Sequence, residues 1–340
     1  MKAVVFNQGR IVVEDREIPE LNPGEVLVQV KASAICRSDL HLLRGAGPVG
    51  SGESKPIVPG HEPAGVVVRV DSHAKGVHEG DRVAIYLAIG CEQCESCRRG
   101  WPLLCNKVQF VGVDRDGGDQ EFMTVPYQNC LPIPQSMSFA DAAVSLDTLG
   151  GLYWTCKSLG VSGRDTVAIY GLGPMGTAGV LVAKAMGALV VAIEPNELRR
   201  HLAVGLGADL ALDPTSSEFG DQVLGVTHGR GFDVALECSG APTAQNAALN
   251  TVAKFGRVGF LGESNATQFH PSDQLIRKLV TVQGGWYFPR WGYEEIVRFL
   301  QGRRIRMNKL VTDTFPLEDA ATAFEKFDAG LTGKVLFSPS

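Results

Sequence analysis

The chain has 340 residues, of which 44% are hydrophobic and 20% charged, with 40 glycines and a net charge of −5 at pH 7. Its length favours about two domains, and its composition is that of a globular protein with many tight turns. No basic stripe marks a site for nucleic acid or an anionic membrane. The densest cationic run, Arg303, Arg304 and Arg306, is more simply a solvated face after a helix. No apolar run is long enough to span a bilayer.

The N-terminal segment MKAVVFNQGRIVVEDREI alternates and turns like a pair of strands and does not resemble a cleaved export signal. We therefore expect a cytoplasmic location. The eight cysteines then indicate metal binding or reactivity before disulfides, because thiols stay reduced in that compartment. Up to about residue 145, short Val- and Ile-rich runs punctuated by Pro and Gly predict an all-β unit with loops.

Two polar segments within this β unit carry candidate metal ligands. ICRSDLHLLRG contains Cys36 and Asp39, and PGHEPAGVVV supplies His61 and Glu62. A catalytic zinc needs about three protein ligands and one open position, of which Cys36 and His61 can provide two. Asp39 suits a supporting role, in which it accepts the second ring N–H of a ligating histidine.

Four cysteines follow in CEQCESCRRGWPLLC, separated by two, two and seven residues: Cys91, Cys94, Cys97 and Cys105. Two-residue gaps let neighbouring thiolates converge on one ion, and four thiolates complete the closed shell of a structural zinc. Disulfides, free thiols and an iron–sulfur cluster are the alternatives, and the ferredoxin spacing ends in a shorter gap followed by proline. The sequence predicts a zinc lobe over residues 91–105.

Past Phe139 the chain becomes Ala- and Leu-rich, and Asp147 is the polar residue of the segment SLDTLGG. Asp147 is the third candidate ligand of the second metal site, with Glu62 as a rival or alternating ligand. An aspartate at the entrance of such a helix could instead be its N-cap.

The segment TVAIYGLGPMG places Gly171, Gly173 and Gly176 between an apolar strand and a helix. Such glycines permit a tight turn and close approach of the backbone to a pyrophosphate at the helix N-terminus. Glu194 ends the next strand, near the spacing expected for an acid that binds the ribose hydroxyls, and would repel the extra phosphate of NADP. Arg199 and Arg200 could offset that repulsion, but NAD is the expected cofactor.

The rest of the chain alternates buried strands and helices, which predicts a parallel, doubly wound sheet and an α/β fold. After about residue 290, two helices and a final strand, GKVLFS, are expected. Cys130 and Cys156 are most simply small core residues. Cys238, after a strand of the alternating region, could line the nicotinamide pocket or only pack.

Together these residues resemble the zinc-containing medium-chain dehydrogenase/reductase family, in its branch of alcohol, polyol and threonine dehydrogenases, over essentially the whole chain. GHEPAG at 60–65 matches the family's catalytic zinc signature of GHE, two residues and Gly. The family usually has Gly or Ala six residues later, where this chain has Asp71. That departure lies in a turn.

The resemblance implies two zinc ions per chain, a catalytic one on Cys36, His61 and Asp147 with Glu62 variable, and a structural one on the four-cysteine lobe. It implies Ser38 as the proton-accepting hydroxyl, His41 at the solvent end of the relay, and Glu62 within the catalytic set. The expected cofactor-binding residues are Arg37, Gly171, Leu172, Gly173, Pro174, Met175, Gly176, Glu194, Arg199 and Cys238.

The implied architecture is a GroES-like β domain formed by residues 1–146 and 290–340, with a Rossmann NAD-binding domain at 147–289. The implied activity is oxidation of a secondary alcohol, polyol or cyclitol, or amino alcohol, by zinc-assisted alkoxide formation and hydride transfer. The expected partner is a small-molecule alcohol, and the expected assembly is a homodimer or homotetramer. Trp286, Tyr287 and Phe288 could form an apolar wall of the substrate pocket, or only core.

Two alternatives stand beside this reading. A zinc-free NADPH reductase of quinones or enones would lack the set of Cys36, His61 and Asp147. A non-catalytic zinc- and nucleotide-binding relative would not need Ser38 and His41, which serve neither folding nor zinc binding.

Overall fold

A computed structural model of the chain describes residues 1–45, 55–263, 266–330 and 332–339. The chain divides into two compact units, one formed by Met1–Leu146 with Pro289–Ser340 and the other by Asp147–Phe288. Within the described residues, every helix is too short or too polar to cross a membrane.

The first stretch of the chain is built mainly of strands, as its Val- and Ile-rich runs predict. The strands are β1 (Lys2–Asn7), β2 (Arg10–Asp15), β3 (Glu25–Ile35), β4 (Pro63–Val70), β5 (Arg82–Ile85), β6 (Ala88–Ile89), β7 (Gln109–Phe110), β8 (Phe122–Pro126) and β9 (Cys130–Pro132). Between them lie the helices α1 (Arg37–Leu43), α2 (Glu95–Arg98) and α3 (Phe139–Val144). Each of the three is too short for helical periodicity to show in the sequence.

A π-helical turn, Ser145–Gly150, leads into the alternating strands and helices that the sequence predicts. In chain order these are α4 (Gly151–Ser158), β10 (Thr166–Tyr170), α5 (Pro174–Ala185), β11 (Leu189–Ile193), α6 (Glu197–Gly205), β12 (Leu210–Leu212), α7 (Phe219–Val226), β13 (Phe232–Glu237), α8 (Pro242–Thr251), β14 (Val252–Phe260), α9 (Pro271–Gln274) and β15 (Thr281–Gly284). Helix α7 was not predicted, because two glycines interrupt its apolar pattern.

The strands of the second unit form one parallel sheet in the order β12-β11-β10-β13-β14-β15. This is the order of a doubly wound dinucleotide-binding sheet, and the predicted α/β class is confirmed. The chain reverses its direction of winding between β10 and β13. In such sheets ligands bind outside the carboxyl ends of the strands at that reversal.

The chain then returns to the first unit through α10 (Tyr293–Arg303), β16 (Val311–Phe315), α11 (Ala320–Asp328) and β17 (Lys334–Phe337). Strand β17 pairs with β3, so the return completes a seven-stranded sheet of order β16-β17-β3-β4-β5-β9, with β8 also on β3. The cationic run after α10 is exposed, as the sequence predicts. Short 3-10 turns lie at Pro102–Leu104, Tyr127–Asn129, Ile276–Lys278, Arg290–Gly292, Met307–Leu310 and Leu317–Asp319.

The register of this sheet determines which distant residues meet at one of its ends. Ser33 of β3 pairs with Pro63 of β4, and Ile35 pairs with Val335 of β17, both in antiparallel fashion. The residues just after β3 and just before β4 therefore lie at the same end of the sheet, where β17 begins. Apolar side chains pack in two clusters against this sheet, and Cys130 is buried in one of them.

Candidate metal and dinucleotide sites

The lobe after β6 brings its four cysteines together. One sulfur from each lies within 4.8 Å of all the others, in a set formed by Cys91, Cys94, Cys97 and Cys105. Three backbone N–H groups donate to these sulfurs, from Cys91 and Lys107 to Cys105 Sγ and from Cys94 to Cys91 Sγ, at 3.3–3.4 Å. A compact set of four thiols with N–H donors fits the closed tetrahedral shell of a zinc ion.

Two of the thiols, those of Cys91 and Cys97, differ in how readily they ionise. Backbone N–H groups of Gln93 and Cys94 lower the pKa of the Cys91 thiol to about 6. Burial raises the pKa of the Cys97 thiol to about 12. A divalent cation held among them would deprotonate both kinds of thiol, because the ion is the largest local charge.

The lobe is attached to the chain that enters α10. Arg290 forms a two-pronged ion pair with Glu92, at 2.8 and 2.7 Å, and its backbone N–H donates to Gly100 O. Gly100 has φ +82°, and a Cβ there would lie 2.2 Å from the Trp291 ring. These contacts hold the cysteine loop against a structured segment, which suits a stabilising role.

A second group of possible ligands consists of Cys36, His61, Glu62 and Asp147, each with one ligand atom within 4.8 Å of the others. Cys36 and His61 lie just beyond the paired ends of β3 and β4. Asp147 follows Leu146 in the π-helical turn and is not an N-cap, since Ser138 is the N-cap of α3 and Gly150 is the N-cap of α4. A thiol, an imidazole and carboxylates form a donor set that suits zinc.

Asp39 links two members of this group and is 1% exposed. Its Oδ2 accepts the Cys36 backbone N–H at 2.8 Å, and its Oδ1 lies 3.1 Å from His61 Nδ1. A carboxylate can only accept, so we assign the ring proton to Nδ1. That tautomer leaves the lone pair of His61 Nε2 available to a metal ion.

The residues of the predicted proton relay lie on α1. Ser38 Oγ lies 3.4 Å from His61 Nε2, and Ser38 is partly exposed. His41, one turn further along the helix, is exposed to solvent, and so is Arg37. The hydroxyl of Ser38 is therefore next to the ligand group, while the imidazole of His41 reaches water.

Sequence reasoning missed the partner of Glu62. Its carboxylate is ion-paired with Lys334 at the start of β17, and both side chains are at most 1% exposed. Burial of a lone charge would be costly, so each group requires the other. The two residues are 272 positions apart, and no local pattern could have joined them.

A second missed residue is Asp119, which is fully buried near the same end of the sheet. Its Oδ1 accepts the Ser33 hydroxyl at 2.6 Å, whereas Oδ2 has no hydrogen-bond partner among the described residues. Burial, together with the negative charge of Asp39, raises the pKa of this carboxyl to about 8. Several acids crowd the segment DRDGGDQE, so spacing did not single out Asp119.

The glycine turn after β10 has a different constraint at each glycine. Gly171 has φ +85°, and a Cβ there would lie 2.6 Å from Ser239 Cβ. A Cβ on Gly176 would lie 1.8 Å from Gly171 O, whereas one on Gly173 would meet no atom within 4 Å. Gly173 is the N-cap of α5, and Pro174 is in its first turn. The turn is tight on the protein side and open where a phosphate could approach.

Glu194 lies at the carboxyl end of β11 and is 6% exposed. Its Oε2 accepts the Leu172 N–H at 2.7 Å, and its Oε1 accepts the Asn196 N–H at 3.2 Å. Arg200 is engaged with the carbonyls of Glu194 and Pro195, at 2.7 Å each. The acid is thus fixed beside the glycine turn, while Arg200 is occupied.

The remaining predicted residues have mixed environments. Cys238 is partly buried, and its backbone N–H donates to Tyr170 O at 2.8 Å, close to the glycine turn. Tyr287 and Phe288 are buried and stacked, with ring centroids 4.6 Å apart. Trp286 is half exposed, so the three aromatic residues do not share one environment.

Two family models match the chain. The alcohol dehydrogenase GroES-like domain matches residues 22–135, and the zinc-binding dehydrogenase family matches residues 174–302. Among similar proteins, L-threonine 3-dehydrogenase of Pyrococcus abyssi is 36% identical over 325 residues, which cover 94% of this chain and 93% of that protein. L-threonine 3-dehydrogenase of Rhizobium etli is 33% identical and covers 99% of this chain and 98% of its own.

Solved structures have the same fold over the whole chain. The alcohol dehydrogenase TADH of Thermus sp. ATN1 has a TM-score of 0.92 at 30% identity and covers 100% of both chains. The rspB alcohol dehydrogenase of Escherichia coli, complexed with NADH, has a TM-score of 0.90 at 26% identity. A zinc-binding dehydrogenase of Sinorhizobium meliloti bound to NADP has a TM-score of 0.89 at 28% identity. The latter two each cover 99% of both chains.

Proposed function

Because the chain belongs to the zinc-containing medium-chain dehydrogenase family, we propose that it oxidises a secondary hydroxyl group of a small molecule, with NAD as hydride acceptor. The observation that carries this proposal is the meeting of Cys36, His61 and Asp147 beside the hydroxyl of Ser38. Three ligands with a polar hydroxyl alongside match the requirements of an open catalytic zinc site.

Cys36, His61 and Asp147 would hold the catalytic zinc, and the four-cysteine lobe would hold a structural one. Glu62 is engaged with Lys334, which favours Asp147 as the third resting ligand. When bound, the catalytic ion supplies a Lewis acid that lowers the pKa of the substrate hydroxyl. Asp39 fixes the ring orientation of His61 and, through the Cys36 N–H, the position of the thiolate.

Ser38 and His41 would handle the proton that the substrate hydroxyl loses. The Ser38 hydroxyl lies next to the ligand group and can accept one proton while it donates its own. His41 is exposed, so its imidazole can pass a proton to water. We assign Ser38 to the inner end of this relay and His41 to the outer end, with Glu62 a neighbouring carboxylate of the ligand set.

The cofactor would bind across the glycine turn. Its pyrophosphate would lie on Leu172, Gly173, Pro174 and Met175, between Gly171 and Gly176, with Arg37 and Cys238 as further contacts. Glu194 supports NAD over NADP, because a fixed carboxylate repels a ribose phosphate. Arg200 is held by backbone carbonyls, which leaves Arg199 as the cation that could favour NADP. The ratio of kcat/KM for the two cofactors tests this choice.

The proposed domain bounds follow the division of the chain into two compact units. We propose residues 1–146 and 290–340 as the catalytic domain and residues 147–289 as the NAD-binding domain, supported by the two compact units and by the family matches.

A homodimer or homotetramer is supported by the sheet edge at β15, where Leu279 and Val282 are exposed. Light scattering, which measures the mass of the assembly in solution, distinguishes the dimer from the tetramer. A cytoplasmic location would keep the zinc-binding thiols reduced.

The first experiment combines elemental analysis of the purified protein with NAD reduction on a panel of alcohols. The panel contains L-threonine, the substrate named for the Pyrococcus and Rhizobium relatives, together with 2,3-butanediol, sorbitol, inositol and 2-propanol. Two zinc ions per chain and NAD-dependent turnover of at least one secondary alcohol are expected. One zinc and no turnover on the panel would contradict the proposal.

A further inference from the structure

Glu237, the last residue of β13, is a fully buried carboxylate outside the groups assigned so far. Its Oε1 accepts the Ser239 backbone N–H at 2.8 Å and the Ser239 hydroxyl. The Gly240 N–H lies 3.1 Å from both of its carboxylate oxygens. Burial raises the pKa of Glu237, and these donors oppose that shift. A buried carboxylate is tolerable only when its oxygens are bonded, as they are here.

The backbone of the same residue holds a second turn. Glu237 O accepts the N–H groups of Leu261 and Gly262, at 2.8 and 3.0 Å, just after β14. Gly240 has φ +72°, and a Cβ there would lie 2.1 Å from Glu263 O, so the two turns are in close contact. Glu237 therefore fixes the turns that follow β13 and β14.

The turn after β13 also touches the glycine turn. A Cβ on Gly171 would meet the Ser239 side chain at 2.6 Å, and a backbone bond joins Cys238 N to Tyr170 O. A shift of Ser239 would therefore either press on Gly171 or leave it unsupported. Glu237 thus sets the relative positions of three turns at the carboxyl end of the sheet: its carboxylate holds the turn at Ser239 and Gly240, and its backbone carbonyl holds the turn after β14.

The strand order tells which half of a dinucleotide these turns would face. Strands β10 and β13 flank the reversal of winding, and each side of such a sheet takes one mononucleotide half. Glu194, the acid that would bind the adenosine ribose, ends β11 on one side. The turns after β13 and β14 lie on the other side, which leaves them the nicotinamide half.

We propose that Glu237 is a positioning residue that shapes the nicotinamide half of the cofactor site through the turn at Ser239 and Gly240. The inference rests on the proposed function, because it requires a dinucleotide in this sheet. A carboxylate suits the role better than an amide, since all the groups that face its oxygens are donors.

The test is Glu237→Gln, which keeps the size of the side chain but turns an NH2 group toward a donor. Affinity for NADH is measured by fluorescence titration and affinity for ADP, which has only the adenosine half, by calorimetry. We expect the Kd for NADH to rise about tenfold, as when a charge-assisted bond is lost. The Kd for ADP should stay within about twofold of that of the wild-type protein.

Asp233→Asn is the matched control. Asp233 is on the same strand, and its carboxylate also accepts a backbone N–H, that of Thr166 at 2.8 Å, but near the opposite end of β13. This variant should lower Tm and leave both affinities unchanged. A Glu237→Gln protein with normal NADH affinity, or with equal losses for NADH and ADP, would overturn the proposal, because a general weakening of the sheet predicts the latter.

A second variant keeps the inference testable if Glu237→Gln does not fold. Ser239→Ala removes one donor to Glu237 and should raise the Kd for NADH about threefold with little change for ADP. No selective loss in that variant would count against the proposal. Failure of the wild-type protein to bind NADH or NADPH would instead refute the proposed function itself, before any variant is compared.

Discussion

The four-cysteine lobe and the second ligand group differ in how the chain assembles them. The lobe takes its ligands from one loop, between Cys91 and Cys105, and all four are thiols. The second group takes Cys36 and His61 from two strand ends and Asp147 from a later turn. A local loop can close completely around an ion and stabilise the fold. A site assembled from distant residues depends on the sheet register and can leave a position open for chemistry.

The two groups also differ in the polar groups that surround them. Backbone N–H groups donate to the lobe sulfurs, whereas the second group is supported by the charged side chains of Asp39 and Lys334. Buried charges near a ligand adjust its basicity and orientation. Substitutions in the two groups should therefore separate loss of activity from loss of stability.

The largest effect is expected for Cys36→Ser. Loss of the thiolate should remove one of two bound zinc ions and lower kcat/KM at least about a thousandfold, because a Lewis acid contributes several kcal/mol to the transition state. Elemental analysis, circular dichroism and NAD reduction measure this. Cys130→Ala, in the apolar core, should keep both ions and activity within about threefold. Full zinc content in the Cys36→Ser protein would exclude Cys36 as a ligand.

Cys97→Ser tests the lobe, and here we expect a loss of stability with turnover retained. The buried Cys97 thiol is one of four, and its loss should release the other zinc ion and lower Tm by about 10 °C. The folded protein should still bind NADH and turn over at low temperature. Calorimetry and activity at about 10 °C would measure both properties. Loss of turnover with an unchanged Tm would reverse the roles assigned to the two groups.

Asp39→Asn should have an intermediate effect on the second group only. Cys36 N–H and His61 Nδ1–H donate to different oxygens of Asp39, and an amide replaces one of those oxygens with an NH2 donor, so zinc affinity there should fall about 10- to 100-fold. Competition with a chelator measures this for each zinc ion separately. Asp116→Asn is the matched control, because that carboxylate also accepts a backbone N–H, from Val58 at 2.9 Å. Equal weakening of both zinc ions would argue against a local role for Asp39.

The contrast between ligands from one loop and ligands from distant strands also explains which features the sequence could predict. The cysteine spacing, the glycine turn and the alternation of strands and helices are local patterns, and they predicted the lobe and the parallel sheet. The ion pair of Glu62 with Lys334 and the bond from Ser33 to Asp119 depend on strand pairing across the chain. Sequence spacing cannot contain such contacts. The ion pair forms only when β17 and β4 both pair with β3, and the Ser33 bond forms only when the segment before β8 aligns with β3.

Asp71→Asn lies away from both ligand groups, and we expect it to have the smallest effect of these variants. It should change the stability of the fold and leave zinc binding unchanged. Asp71 Oδ1 accepts the N–H groups of Gly24 and His73, at 2.6 and 2.9 Å. These bonds lower its pKa to about 2, with Gly24 the largest cause. We expect Asp71→Asn to lower Tm by about 2 °C at pH 7, because a carboxylate in contact with solvent adds little stability.

The pH dependence of this difference has a definite sign. A carboxyl whose pKa is lower in the folded state stabilises the fold above its unfolded value, 3.8, and that contribution is lost as pH falls toward about 2. The Tm difference between the two proteins should be constant from pH 7 to about 5 and shrink below about 4. Thermal unfolding across that range, with zinc content measured at pH 7, tests this. A difference that grew on acidification, or a loss of zinc at pH 7, would show that Asp71 acts through something other than this turn.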